Sequence, residues 1–210
     1  MFDCRPPLGG ARSAVYSLSG DRGPSVQLSR WVYYADFVIY PLIVIGLTMG
    51  GLSMAERPSA WLAACLAALA AWTLIEYLLH RYVFHHVPII ERMHDAHHQN
   101  PRALIGSPVW LSFMIFAFGV FPTLWLAFGA NLASAAGAGL VAGYLWYLVV
   151  HHAVHHWTID ERSWLYGARV RHLLHHYRSD QRSFGVTTGF WDYVFGTAPE
   201  SQRAKPELPV

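Results

Sequence analysis

Charged residues along this chain come in blocks, separated by three stretches that contain none. Residues 37–55 form the first (19 residues), 58–75 the second (18) and 103–150 the third (48). About 20 apolar residues in a helix cross a hydrocarbon core about 30 Å thick. The first two stretches therefore read as one span each. The third is long enough for two and contains Gly129, Ala130 and Asn131, a turn-forming cluster. The pattern predicts spans near 32–54, 59–79, 108–128 and 131–150. A soluble core helix does not account for 48 uncharged residues in a row. Ala135, Ala136, Gly137, Gly139 and Gly143 would let the fourth span approach a neighbour closely. Trp31, Tyr33, Tyr34, Trp61, Trp110, Tyr144, Trp146 and Tyr147 lie near span ends, where an interfacial belt and helix packing are both open to them.

The basic residues add an orientation. Of 15 Lys and Arg, Arg57 alone falls on one side of the predicted spans and the other fourteen on the opposite side. The positive-inside bias then puts both termini, the middle loop and the C-terminal region in the cytoplasm. Residues 1–30 read as a cytoplasmic tail, 31–197 as one membrane domain, and 198–210, with three prolines, as a mobile C-terminal tail. The composition agrees: 54% hydrophobic, 13% charged, mean hydropathy +0.26. These values exclude a disordered chain and a basic nucleic-acid binder, and they disfavour a freely soluble enzyme. Cys4 and Cys65 are too few for a disulfide framework or a thiolate metal site.

The chemistry lies in histidine. All 13 fall between His80 and His176, in four clusters at the cytoplasmic ends of the predicted spans. Residues three and four apart share a helix face, so His94, His97 and His98 can converge, and His172, His175 and His176 repeat the spacing. His151/His155 and His152/His156 are two i, i+4 pairs about 100° apart, so one pair faces a site and the other does not. His80 and His85, five apart, diverge by about 140° on a straight helix. Either they serve different metals or the helix breaks there. One ion takes roughly three to six ligands, and four clusters offer more, which implies two metals. A metal-buffering tract is usually contiguous, and a pH sensor needs only one or two histidines.

Imidazole suits Zn, Cu, Fe and Ni. A zinc hydrolase usually brings a carboxylate base, yet Asp95 is the only acid inside any cluster. Two redox-active irons beneath a membrane core point instead to dioxygen and an unactivated C–H bond, which no side chain can attack unaided. Glu76, one turn before His80, is placed to orient that imidazole. Asp36, inside the first span, has no ligand adjacent in sequence.

The spacing His80/His85, His94/His97/His98, His151/His155 and His172/His175/His176 resembles the fatty acid hydroxylase / sterol desaturase superfamily, most closely the fatty acid 2-hydroxylases. The segment 183–197, Ser-Phe-Gly-Val-Thr-Thr-Gly-Phe-Trp-Asp-Tyr-Val-Phe-Gly-Thr, is similar to a signature that follows the family's last cluster. The resemblance implies an all-α integral membrane bundle of four transmembrane helices under a cytoplasmic helical cap. It implies that these ten histidines ligate a dimetal centre, with Tyr147 one turn before the third cluster. An H-x2-H-H frame would select His152, His155 and His156 there; otherwise His86, His152 and His156 lie around the site. The implied activity is O2-dependent hydroxylation of the acyl chain of a fatty acid or lipid, at C2 in the members it most resembles. The implied cofactors are two Fe ions, replaceable by Zn on purification. The 30 residues before the first span are too few for a fused cytochrome b5 domain, so a separate cytochrome b5- or ferredoxin-like protein is the expected electron donor. A sterol or carotenoid hydroxylase or desaturase with the same histidines is the alternative, and a non-catalytic metal-handling membrane protein a third reading.

Overall fold

The computed structural model describes residues 27–199, so most of both predicted tails lies outside the described residues. Among the described residues the regular structure is helical, apart from one antiparallel bridge between Gln27 and Ile105. Helix α1 (Arg30–Ser53) opens on Ser29, whose Oγ accepts from the Val32 N–H at 3.4 Å. Helix α2 (Pro58–Leu78) has Pro58 in its first turn, where a missing N–H costs nothing, and it runs on through a π-helical turn, Leu79–Phe84. A short helix α3 (Pro88–Gln99) follows. Then α4 (Val109–Met114) continues through a second π turn, Ile115–Val120, into α5 (Phe121–His156). Two short helices, α6 (Tyr166–Tyr177) and α7 (Phe190–Val194), close the chain.

Three continuous helical stretches are long and apolar enough to cross a membrane: Arg30–Ser53, Pro58–Phe84 and Val109–His156. The sequence predicts four spans; the third and fourth are merged here into one run of 48 residues. That run is interrupted at Gly129, whose φ of 77° and ψ of 166° leave helical space. Glycine adopts a positive φ without a Cβ penalty, so the break lies inside the turn cluster the sequence marks.

Helix α5 packs against both α1 and α2. Gly139 and Gly143 allow this on the α2 side: a Cβ on Gly139 would meet the Cys65 carbonyl, and one on Gly143 would meet the Trp72 ring. Two buried polar pairs are satisfied between helices, as a hydrocarbon surrounding favours. Trp61 Nε1 donates to Ser134 Oγ at 3.0 Å, and Tyr40 Oη donates to Ser112 Oγ at 2.7 Å. Trp61 and Tyr144 are therefore packing residues, whereas Trp31 and Trp110 point outward. The outer surface of the long helices is apolar, with Leu126 90% and Phe118 72% exposed. A second core of Val150, Ala153, Val154, Leu165, Ala168 and Val186 joins the end of α5 to α6 and the loop after it. Ala198, at the start of the predicted C-terminal tail, is fully buried.

Candidate metal centre

The ends of α2 and α5 meet α3 and α6, and this junction gathers histidines from all four clusters. They form two groups of five. His80, His85, His94, His98 and His175 make the first; His97, His151, His155, His172 and His176 make the second. In each group one ring nitrogen per residue lies within 4.8 Å of the others. The groups adjoin, with the His98 and His176 rings stacked at 4.1 Å.

Local geometry explains the sorting. His80 lies in the π turn after α2 and His85 caps its end. A π turn bonds i→i+5 and rotates less per residue than an α-helix, so it narrows the angle between two residues that a straight α-helix would splay. The helix does deviate at this point, and both rings enter one group, 5.3 Å apart. On α3 the outcome differs from convergence of all three histidines. His94 and His98, at i, i+4, share the first group, while His97, about 100° away from His98, enters the second. Helix α6 mirrors this: His172 and His176 go to the second group and His175 to the first. Each H-x2-H-H motif thus serves both groups.

The nitrogen positions fit metal ions. His94 Nε2 lies 3.1 Å from His80 Nε2, 3.1 Å from His85 Nε2 and 3.0 Å from His98 Nε2. One nitrogen cannot share protons with three others at once; a cation at their centre satisfies all four. In the second group His172 Nε2 lies 2.8 Å from His155 Nε2 and 3.0 Å from His176 Nε2, and His151 Nε2 lies 3.0 Å from His97 Nε2. Nitrogens about 2.05 Å from one ion lie about 2.9 Å apart at right angles and about 3.3 Å apart in a tetrahedron. The spacings fit a site more crowded than four-coordinate zinc.

Protonation favours the same use. Burial, aided by the positive charge that neighbouring imidazoles would carry, lowers His85 and His97 to about 4 and His175 to about 3. The same causes push His94, His172 and His176 down further. These rings are neutral at pH 7 and present lone pairs.

The second ring nitrogens reveal a support that the sequence does not disclose. His80 Nδ1 meets the Phe184 carbonyl at 2.6 Å and His175 Nδ1 the Arg182 carbonyl at 2.8 Å. Carbonyl partners fix the tautomer and turn Nε2 toward the ion. The hydrogen bond expected from Glu76 to His80 is not formed. Instead Glu76 Oε1 accepts from the Val186 and Thr187 N–H groups at 2.8 and 2.9 Å, and Oε2 accepts from Thr187 Oγ1 at 2.6 Å. Glu76 holds the loop that carries the carbonyl, a longer lever than one helical turn suggests. Asp192, fully buried, grips the same loop through the Phe184 and Gly185 N–H groups at 2.9 and 3.0 Å. The segment 183–197 is thus a clasp behind the first group; its lone acid among apolar and small residues was the available signal.

The remaining candidates lie around the groups. Tyr147 stacks on His151 at 5.6 Å and 10°. His152 and His156 stack on each other at 4.4 Å on another face of α5, where Tyr33 Oη meets His152 Nδ1 at 3.0 Å. His86 is exposed beside Tyr82.

Residues 65–197 match the fatty acid hydroxylase family. The chain is 29% identical to fatty acid 2-hydroxylase of Rattus norvegicus over 195 residues, covering 87% of this chain and 52% of that protein. It is 29% identical to a dihydroceramide fatty acyl 2-hydroxylase of Arabidopsis thaliana over 198 residues, 86% of this chain and 79% of that one. The solved structure of full-length scs7p, in which only the hydroxylase domain is visible, superposes with a TM-score of 0.70. That match is 27% identical and covers 85% of this chain and 69% of the other. The chain spans about half the length of the mammalian relatives it matches. With its histidine spacing, its two five-imidazole groups and this match over most of its length, the chain belongs to the fatty acid hydroxylase family.

Proposed function

We propose that the protein is a membrane-bound, non-haem di-iron, O2-dependent monooxygenase that hydroxylates the acyl chain of a fatty acid or lipid at C2. The observation that carries this reading is the pair of adjoining five-imidazole groups, free of carboxylate, at the end of long apolar helices. The ten histidines are the ligands, and His151 and His155, not His152 and His156, serve from α5. Attack at C2 is supported by the names of the relatives. The 48-residue run crosses twice, turning at Gly129; four crossings leave both ends on one side, and the fourteen basic residues there support the cytoplasmic face for the ends and the metal centre.

Two irons, when bound, supply the redox chemistry by which O2 attacks an unactivated C–H bond. The chain's own part is geometry. Its neutral imidazoles hold the ions, the carbonyls of Phe184 and Arg182 set ring orientation, and α3 and α6 keep bulk water from the reacting carbon. Electrons come from a separate cytochrome b5- or ferredoxin-like protein.

The test is mass spectrometry of host lipids from cells expressing the protein with a compatible donor, beside a His175→Ala control. One added oxygen on an acyl chain, absent from the control, is the expected result. Loss of two hydrogens would make the protein a desaturase, and unchanged lipids in the presence of bound metal and a working donor would count against an acyl substrate.

A further inference from the structure

Asp36 is an unexplained acid inside a long apolar helix. It sits on α1, is 5% exposed, and its Oδ1 has no hydrogen-bond partner among the described residues. A buried carboxylate without a donor costs more than a neutral group there, and an acid within a membrane-spanning helix marks a functional site until a partner is found.

Its position follows from two contacts that straddle it. Tyr33 meets His152 at 3.0 Å, and Tyr40 meets Tyr144 with ring centroids 5.0 Å apart. Helices α1 and α5 therefore run in opposite directions here. Asp36, between the two tyrosines, is level with residue 148, about one helical turn (~5 Å along the axis) from His151. Tyr33, Asp36 and Tyr40 are spaced three and four apart, so all three face α5. Asp36 is within electrostatic reach of Tyr33, Tyr40 and Tyr144. The hydroxyls around it are engaged elsewhere: Tyr40 donates to Ser112, and Ser112 to the Val109 carbonyl. From the neighbouring Tyr144 a stacked path leads to the metal centre, Tyr144 to Tyr147 and Tyr147 to His151.

We propose that Asp36 is the head-group anchor of the substrate site, its unpartnered oxygen accepting a hydrogen bond from an N–H or O–H donor of the lipid. Such a contact holds the first acyl carbons near the level of His151. Its oxygen selects heads that carry donors and, when ionised, repels a free fatty acid carboxylate. Asp36 is a specificity-determining residue. It touches no ring of the two histidine groups in the contacts described above, so its loss leaves the metals in place. The inference rests on the lipid-hydroxylase reading only in taking the ligand to be a lipid.

The experiment is equilibrium binding, by native mass spectrometry, of two probes to the metal-loaded protein in detergent. One is N-hexadecanoylethanolamine, with an amide N–H and a hydroxyl; the other is its N,O-dimethyl derivative, with neither. The wild type is expected to prefer the first by about tenfold or more, as a charge-assisted hydrogen bond allows. In Asp36→Leu that preference falls to within about twofold, with metal content unchanged. Asp36→Asn, which keeps shape but loses charge, weakens it about threefold or more and decides the matter if the leucine variant fails to fold. A wild type indifferent to the donors, or variants that keep the full preference, would overturn the proposal. Neither readout needs turnover, so a wild type that binds with this preference but hydroxylates nothing counts against the hydroxylase reading alone.

Discussion

The two histidine groups are equal in number and unequal in support. In the first, His80 and His175 are each pinned at Nδ1 by a backbone carbonyl, that of Phe184 in the clasp that Glu76 and Asp192 hold and that of Arg182 just before it. In the second, the buried Nδ1 atoms of His97, His172 and His176 have no partner among the described residues. Five imidazoles gathered by helix ends can meet an ion in both places. Only the first has two of its rings locked in tautomer and direction before the ion arrives. The pair is thus asymmetric: one position is preorganised, and the other is left freer to adjust.

Four predictions probe that contrast, in falling order of effect. His175→Ala removes a first-group ring and its carbonyl contact; lipid hydroxylation should fall to background and metal content from two ions per chain to about one by elemental analysis. Asp192→Ala releases the Phe184 and Gly185 amides and loosens the clasp. Affinity at the first group should fall about 10–100-fold while the second group keeps its ion, measured by competition with a graded chelator. In the wild type the same titration should be biphasic, the second group emptying first at about tenfold lower chelator. A single simultaneous release would erase the asymmetry. His152→Gln, on the face turned from both groups, should change metal content not at all and activity less than about twofold, whereas a large metal loss would restore the His152/His155/His156 frame.

Acid stability gives a check on the burial of the rings. Burial lowers His85, His97 and His175 to about 4, 4 and 3, below the ordinary value of about 6.5. The folded state then binds fewer protons than the unfolded one, so its stability is fully present above about pH 6.5. It declines as pH falls from there toward about 3. Thermal unfolding of the chelated protein across this range should show the decline, and a flat profile would mean the rings are not buried.

The parts legible in the sequence are those written in local spacing. Runs without charge gave the long helices, the Gly129 cluster gave the break, and histidines three and four apart gave the ligand candidates. What stayed hidden depends on contacts far apart in the chain or on helix type. No pattern around His80 and His85 announces a π turn, although their five-residue spacing required some departure from a straight helix. The partition of His94 and His98 from His97 needs a second set of imidazoles from α5 and α6 on the far side. Glu76 is one turn from His80, which suggested a direct bond; its partners Val186 and Thr187 lie 110 and 111 residues away. The orphan oxygen of Asp36 is visible only once α1 and α5 are packed.

Two adjoining metal positions built from ten imidazoles make a countable difference in bound metal. X-ray absorption on protein reconstituted with iron, together with elemental analysis, tests it most directly. Two ions per chain are expected, each with about five nitrogen neighbours at about 2.1 Å. One ion per chain, or four-coordinate ions with carboxylate or sulfur neighbours, would contradict it.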